Sequence, residues 1–205
     1  MTPNYWNQAT AELARRDCLM AELVERYIGL SLVSRGDAFG TLARSVVGQQ
    51  ISVKVAEAVW GRFAAQVGTL TPGRVVELGT AGLVGCGLSQ RKIEYLGDLA
   101  KHFSNGQLDP SLWAELDDES IVVQLTAVRG IGRWTAEMFL IFHQMRPDIF
   151  PLDDIGLQRA VFERYFSGEK QSRRTLEEFG ERWRPWRSVA TWYLWRSLDP
   201  LPVEY

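Results

Sequence analysis

The stretch LTAVRGIGRWTAEMFLIFHQMRPDIFPLDD, residues 125–154, closes one apolar helix, breaks at Gly130-Ile131-Gly132, enters a second helix and ends in a loop with two adjacent acids. Two glycines around one aliphatic residue make a tight turn whose backbone can approach a partner closely. The amides after Gly132 open a helix, where N–H groups without an intrahelical partner point outward and favour an anion such as phosphate. In the second helix Ala136, Phe139, Leu140 and His143 share one face, and Trp134, Met138, Ile141 and Met145 another. A helix apolar on two faces belongs in the middle of a fold. Pro147 and Pro151 stop it, which leaves Asp153 and Asp154 beyond its end. A backbone-binding device and a carboxylate are thus carried on one short segment.

Outward from this stretch the chain reads as helix throughout. Leu13, Leu19, Leu23, Val24 and Ile28 recur at helical spacing and predict one or two helices over residues 5–29, with Asp17 able to cap the second. An apolar helix over 38–47 ends at Gly48, and Ser52 caps the pattern VKVAEAVWGRFAAQ. Short helices are expected over 72–78 and 80–85. Another runs from its cap at Ser89 to about Phe103, and two more cover 111–115 and 118–127. Beyond Asp154 the spacing predicts helices over 156–166, 172–183 and 186–198, the last with Pro185 in its first turn and Pro200 and Pro202 after it. There is no strand pattern, repeat or low-complexity linker. The expected fold is all-α, with roughly ten helices in two lobes. One lobe is built from both termini, residues 1–36 plus 155–205. The other is 37–154 and contains the two helices around the glycine turn, at about 122–145.

Composition narrows the function classes. With 205 residues, 46% hydrophobic and 23% charged, the chain can bury a real core, which excludes a disordered tail. No apolar run reaches the roughly 18 residues of a membrane span, and the polar opening MTPNYWNQATAELARRD has no signal-peptide core. The expectation is a cytoplasmic protein, nucleoid-associated if bacterial. Cys18 and Cys86 are too few for a disulfide framework, a cysteine-rich zinc site or an iron–sulfur cluster, and His102 and His143 lie in unrelated contexts. No metal of catalytic type is expected. A net charge of −2 gives no overall grip on nucleic acid, so any positive field must be local. Four of the eight tryptophans fall within residues 183–195, as core rings or as a stacking surface.

The pattern Leu125-x-x-Val128-x-Gly130-Ile131-Gly132-x-x-x-Ala136 resembles the helix-hairpin-helix DNA-binding motif. With Asp154 twenty residues beyond Trp134, the stretch resembles the helix-hairpin-helix base-excision DNA glycosylases, the HhH-GPD superfamily with its Gly/Pro-rich loop and catalytic aspartate. GIGRWTA, the loop before Asp154, VGQQIS (47–52), GLSQRKIEYL (87–96) and Pro185-Trp186-Arg187-Ser188-x-Ala190 are similar to its 3-methyladenine DNA glycosylase II branch. The similarity covers nearly the whole chain in order. The helical pattern begins at once, without the β-rich N-terminal domain of that branch's best-known members.

The resemblance implies a catalytic role for Asp154. It implies that Gln50 is the wedge filling the hole left by a flipped nucleotide, and that Trp134, Trp195 and Met138 line the base pocket. Gly130 and Gly132, with Arg129 and Arg133, would hold DNA phosphates. Trp134 stands where bifunctional relatives carry a lysine, which implies hydrolysis without strand-cleaving lyase chemistry. Met138 stands where a tyrosine is frequent, and Arg129 where proline is. The implied partner is double-stranded DNA containing damaged bases, bound by a monomer with no membrane involved. No cofactor is implied for the chemistry, and hairpin carbonyls of the family hold a monovalent cation.

The residue types suit that chemistry. A base inside a duplex must be rotated out before its glycosidic bond is reached. A carboxylate beside the sugar stabilises the positive charge that develops there and orients water. An alkylated purine is cationic and is attracted to ring faces such as those of Trp134 and Trp195. Arg91, Lys92 and Arg187 would add to the local positive field of Arg129 and Arg133. Plainer readings stand beside these: Asp154 as a helix N-cap, Asp153 as a loop acid, the tryptophans and His143 as core, Gln50 as a loop residue. The expected function is a monofunctional DNA glycosylase of alkylated bases, 3-methyladenine-type, in base excision repair. The alternatives are a glycosylase of the same fold for deaminated or etheno bases, a non-catalytic helix-hairpin-helix DNA-binding module, or a magnesium nuclease at Asp153-Asp154.

Overall fold

The computed structural model describes residues 2–34 and 36–198, where eleven α-helices and two 3-10 turns occur and no β-strand. The prolines at 200 and 202 lie outside the described residues. In order the helices are α1 (Trp6–Arg16), α2 (Cys18–Arg26), α3 (Ala38–Gly48), α4 (Val53–Val67), α5 (Pro72–Gly82), α6 (Gln90–Ser104), α7 (Asp118–Thr126), α8 (Arg133–Phe142), α9 (Ile155–Tyr165), α10 (Arg173–Gly180) and α11 (Arg187–Leu198). The 3-10 turns are Trp113–Glu115 and Glu181–Trp183. Most helices start where a short polar side chain meets a first-turn amide. Asp17 accepts from Leu19 and Met20, Ser52 from Val55 and Ser89 from Lys92, as expected, and Asp37, Thr71, Asp117 and Ser172 act in the same way.

The two short helices expected over 72–78 and 80–85 are the two parts of α5, separated by a kink at Gly79, where φ is 59°. Two other boundaries depart from the sequence pattern. Helix α8 ends at Phe142, short of Gln144. Met145 turns left-handed and the Arg146 amide returns to the Leu140 carbonyl, so the helix is closed before the prolines are reached. Pro185 precedes α11 rather than opening it, because the Trp186 amide bonds back to Trp183.

The chain divides into two compact units, Met1–Ser34 with Leu140–Tyr205, and Arg35–Phe139. The first joins both ends of the sequence. Trp6 meets Trp192 edge-on at 5.2 Å and Tyr193 at 5.9 Å. The Asp17 carboxylate accepts from Tyr165 Oη and Trp183 Nε1, and Glu12 accepts from Trp186 Nε1. The unit boundary falls inside α8, not after Asp154 as the sequence suggested. The reason is the loop at 146–149. The Ser188 amide donates to the Pro147 carbonyl, Ser188 Oγ donates to the Arg146 carbonyl, and the Ile149 amide donates to Ser188 Oγ. Arg187 clasps Asp148 through Nε at 2.7 Å and Nη2 at 3.0 Å. The loop leading to the acids is therefore sewn to α11.

The second unit packs α3 and α5 on α6 and places α4 against α3 and α5. Its interior carries a chain of edge-on rings from Phe39 through Phe103 and Trp113 to Phe139. Trp113 is fully buried and donates its indole N–H to Gln124 Oε1 at 2.9 Å. Seven consecutive residues of α8, Thr135 to Ile141, are buried, as a helix apolar on two faces requires. No helix among the described residues is long and apolar enough to cross a membrane.

The first unit carries an alkaline liability. Burial pushes the phenols of Tyr5, Tyr165 and Tyr193 above their ordinary 10.0, that of Tyr193 to about 12, and the charge of Asp17 adds to the effect at Tyr165. Each phenol holds its proton more tightly folded than unfolded. Stability from this source is complete below pH 10.0 and is lost as pH rises through the folded values. Tm is expected to fall as pH rises from about 10 to 12. A Tm unchanged across that range would contradict this.

Candidate active site

Asp154 is 6% exposed and sits at the N-cap of α9. Its Oδ1 accepts from the Leu157 amide at 2.6 Å and from Trp195 Nε1 at 2.8 Å. Trp195 comes from α11 and is itself 6% exposed, with one face stacked on Phe142 at 5.6 Å and 11°. Gly156 makes room for the pair. A Cβ there would lie 3.2 Å from Asp154 Oδ1 and 3.3 Å from Trp195 Cδ1. The cap reading and the buried-carboxylate reading of Asp154 therefore both hold. Its neighbour Asp153 faces the other way, exposed and ion-paired with Arg173. The two adjacent acids do not share a site, which removes the geometric basis for a nuclease built on them. Phe142 and Gly156 had no signal in the sequence, because what singles them out is the approach of a tryptophan from α11.

The hairpin lies between α7 and α8. Gly130 has φ 86° and rests on the ring of Tyr95, such that a Cβ would fall 2.2 Å from Tyr95 Cδ2. Both facts demand glycine. Gly132 is different: a Cβ there would meet open space. Its carbonyl accepts from the Ala136 amide, starting α8, and it offers no side chain to cover the first-turn amides. Trp134 follows, half-buried, and Met138 one turn later is 4% exposed.

The basic residues are more committed than their types suggested. The Arg129 amide donates to Asp98 Oδ2 at 2.8 Å and its guanidinium lies 3.6 Å from Oδ1. Arg133 pairs with Glu119 and reaches Glu137 at 3.5 Å. Arg187, expected to supply positive field, is spent on Asp148 and Glu181 with its side chain 14% exposed. Lys92, given the same expectation, donates to the carbonyls of Val47 at 2.7 Å and Gln49 at 2.8 Å, and burial holds its ammonium below the usual lysine range. Arg91 alone of the proposed field residues is simply exposed. Gln50 is exposed in the turn between α3 and α4, with φ 58°.

Residues 43–185 match the model of the HhH-GPD superfamily of base excision DNA repair proteins. The chain belongs to that superfamily. It is 30% identical over 182 residues to DNA-3-methyladenine glycosylase 1 of Schizosaccharomyces pombe, covering 87% of this chain and 80% of the relative. A crystal structure of DNA-3-methyladenine glycosidase from Bacillus halodurans superposes with TM-score 0.84 at 32% identity, covering 96% of this chain and 90% of that one. The Schizosaccharomyces pombe 3-methyladenine DNA glycosylase Mag1, solved in complex with abasic DNA, superposes with TM-score 0.78 at 28% identity, covering 97% and 99%. Two Bacillus subtilis relatives are longer, and this chain spans 66% of one and 67% of the other.

The two hairpin glycines of this HhH-GPD chain should respond differently to a methyl group. Gly130→Ala must move either the backbone or the Tyr95 ring and is expected to cost roughly 1–3 kcal/mol in urea unfolding. Gly132→Ala should stay within about 0.5 kcal/mol of the parent chain, yet weaken DNA binding by crowding the amides behind it. Equal stability losses for the two variants would refute the contrast.

Proposed function

We propose that this HhH-GPD protein is a monofunctional DNA glycosylase that works as a monomer on double-stranded DNA, in the nucleoid if the cell is bacterial. It hydrolyses the N-glycosidic bond of alkylated bases, 3-methyladenine foremost, and leaves an abasic site. The observation that carries this reading is the double hold on Asp154 Oδ1 by the Leu157 amide and the Trp195 indole in a buried setting. A helix cap needs only the amide. The indole, its support on Phe142 and the space kept at Gly156 all go toward fixing the direction of the carboxylate.

The chemistry then follows from the residues. Hairpin amides after Gly132 grip the backbone beside the lesion without adding net charge. Unstacking and unpairing the nucleotide costs on the order of a few kcal/mol, which Gln50 partly offsets by filling the gap. Trp134, Trp195 and Met138 are the side chains assigned to the cationic base, the rings by cation–π attraction. As the glycosidic bond breaks, the bonding pair leaves with the base and positive charge develops at the sugar carbon. Asp154 stabilises that charge, orients the attacking water and takes its proton. Trp134 has no amine, so no Schiff base forms and the strand is not cut. No cofactor takes part in these steps. A monovalent cation at the hairpin would find hard backbone oxygens there, among them the Val128 carbonyl, which spends one lone pair on the Ile131 amide. The names of the fission-yeast and Bacillus relatives support the substrate class.

Asp154→Asn retains an oxygen for both hydrogen bonds and is expected to melt with the parent chain while losing at least about 10²-fold in excision rate. Normal excision by this variant would sink the catalytic assignment. Mass spectrometry of bases freed from methylated genomic DNA should find 3-methyladenine. Release of deaminated or etheno bases instead would move the substrate class, and no free base at all would leave only a binding module. Borohydride should trap no enzyme–DNA adduct, and a trapped adduct would refute simple hydrolysis.

A further inference from the structure

The wedge assignment rests on the glycosylase reading above, and it leaves one question open. Gln50 keeps a left-handed backbone, φ 58°, without being glycine, at the tip of an exposed turn. Such a conformation persists only where its surroundings over-determine it. The surroundings here are two side chains. Lys92 turns its ammonium inward onto the carbonyls of Val47 and Gln49, the last acceptors of α3. Gln49 sends its own amide N–H 81 residues along the chain to the carbonyl of Gly130, at 2.9 Å. Gly130 in turn is seated on Tyr95, which lies on the same face of α6 as Lys92, three residues on. One helix face thus props both the wedge turn and the hairpin, and the Gln49 side chain spans the gap between them.

We infer that Gln49 and Lys92 are positioning residues that hold Gln50 ready for insertion and fix its distance from the phosphate-gripping hairpin. Neither touches the base or the sugar. Their effect is to have the wedge conformation formed before DNA arrives, which spares its ordering at the moment of flipping. The wedge matters only when a nucleotide must leave a stacked, paired duplex. It matters little when the lesion is already unpaired. A strut that acts through Gln50 must share this dependence, whereas a residue needed only for the fold would not.

The test is single-turnover excision of an alkylated base from two substrates, a fully paired duplex and the same lesion in an unpaired bubble. Gln49→Met removes the bond to Gly130 at similar side-chain length, and Lys92→Met removes the other half of the strut. On the paired duplex Gln49→Met is expected to lose about tenfold, the scale of one half-buried hydrogen bond, and on the bubble less than about twofold. Adding Gln50→Ala should bring little further loss on the duplex, because both substitutions disable the same device. Equal losses on the two substrates, or additive losses in the double variant, overturn the inference. If Gln49→Met melts well below the parent chain, the same comparison with Lys92→Met decides. A parent chain that excises from neither substrate defeats the glycosylase reading itself, and that outcome is distinct from any result for the variants.

Discussion

One carboxylate oxygen, Asp154 Oδ1, holds two elements that come from different parts of the chain. It closes the first turn of α9 through the Leu157 amide and anchors α11 through the Trp195 indole. Packing then follows from the anchor. Trp195 lies flat on Phe142, at the end of α8, and the loop between α8 and α9 is sewn to α11 by Ser188 and Arg187. One amide and one indole thus hold the direction of this buried carboxylate from two elements.

Electrostatics elsewhere in the chain are subdued by design of the pairs. The net charge is −2, and the arginines flanking the hairpin are answered by Asp98, Glu119 and Glu137. Of these pairs Arg133–Glu119 is the exposed one, and such a pair contributes at most about 1 kcal/mol. The first amides of a helix, by contrast, attract an anion without carrying a titratable group. Under the proposed reading, grip on DNA backbone would come more from oriented dipoles than from a cationic surface, which an acidic chain can manage.

Much of the fold was legible because its causes are local. Helical periodicity, the caps at Asp17, Ser52 and Ser89, and the glycine turn are written within a few residues of where they act. The family resemblance picked Asp154 over Asp153 for the catalytic role, and of the two acids Asp154 is the buried one. What escaped depends on partners far along the chain. Nothing near Lys92 announces that its ammonium will turn to carbonyls 43 and 45 residues away, nor does anything near Arg187 point to Asp148, 39 residues before it. Tyr95 under Gly130 and Phe142 under Trp195 are invisible for the same reason. The boundary between the units falls earlier than the sequence suggested because the acid-bearing loop is tied to α11, by Ser188 on backbone atoms and by the Arg187–Asp148 pair, through partners 39 to 42 residues apart.

Asp17 caps α2 and also receives Tyr165 and Trp183, partners 148 and 166 residues away. The unit it belongs to therefore cannot be completed until the final helices exist, whereas the unit holding the hairpin is one uninterrupted run of chain. During synthesis the uninterrupted run can fold as soon as it leaves the ribosome, and the first two helices must wait for α9 to α11. Order of emergence then makes the acid-bearing half the last to form. A nascent chain holds its glycine turn before it holds a buried Asp154.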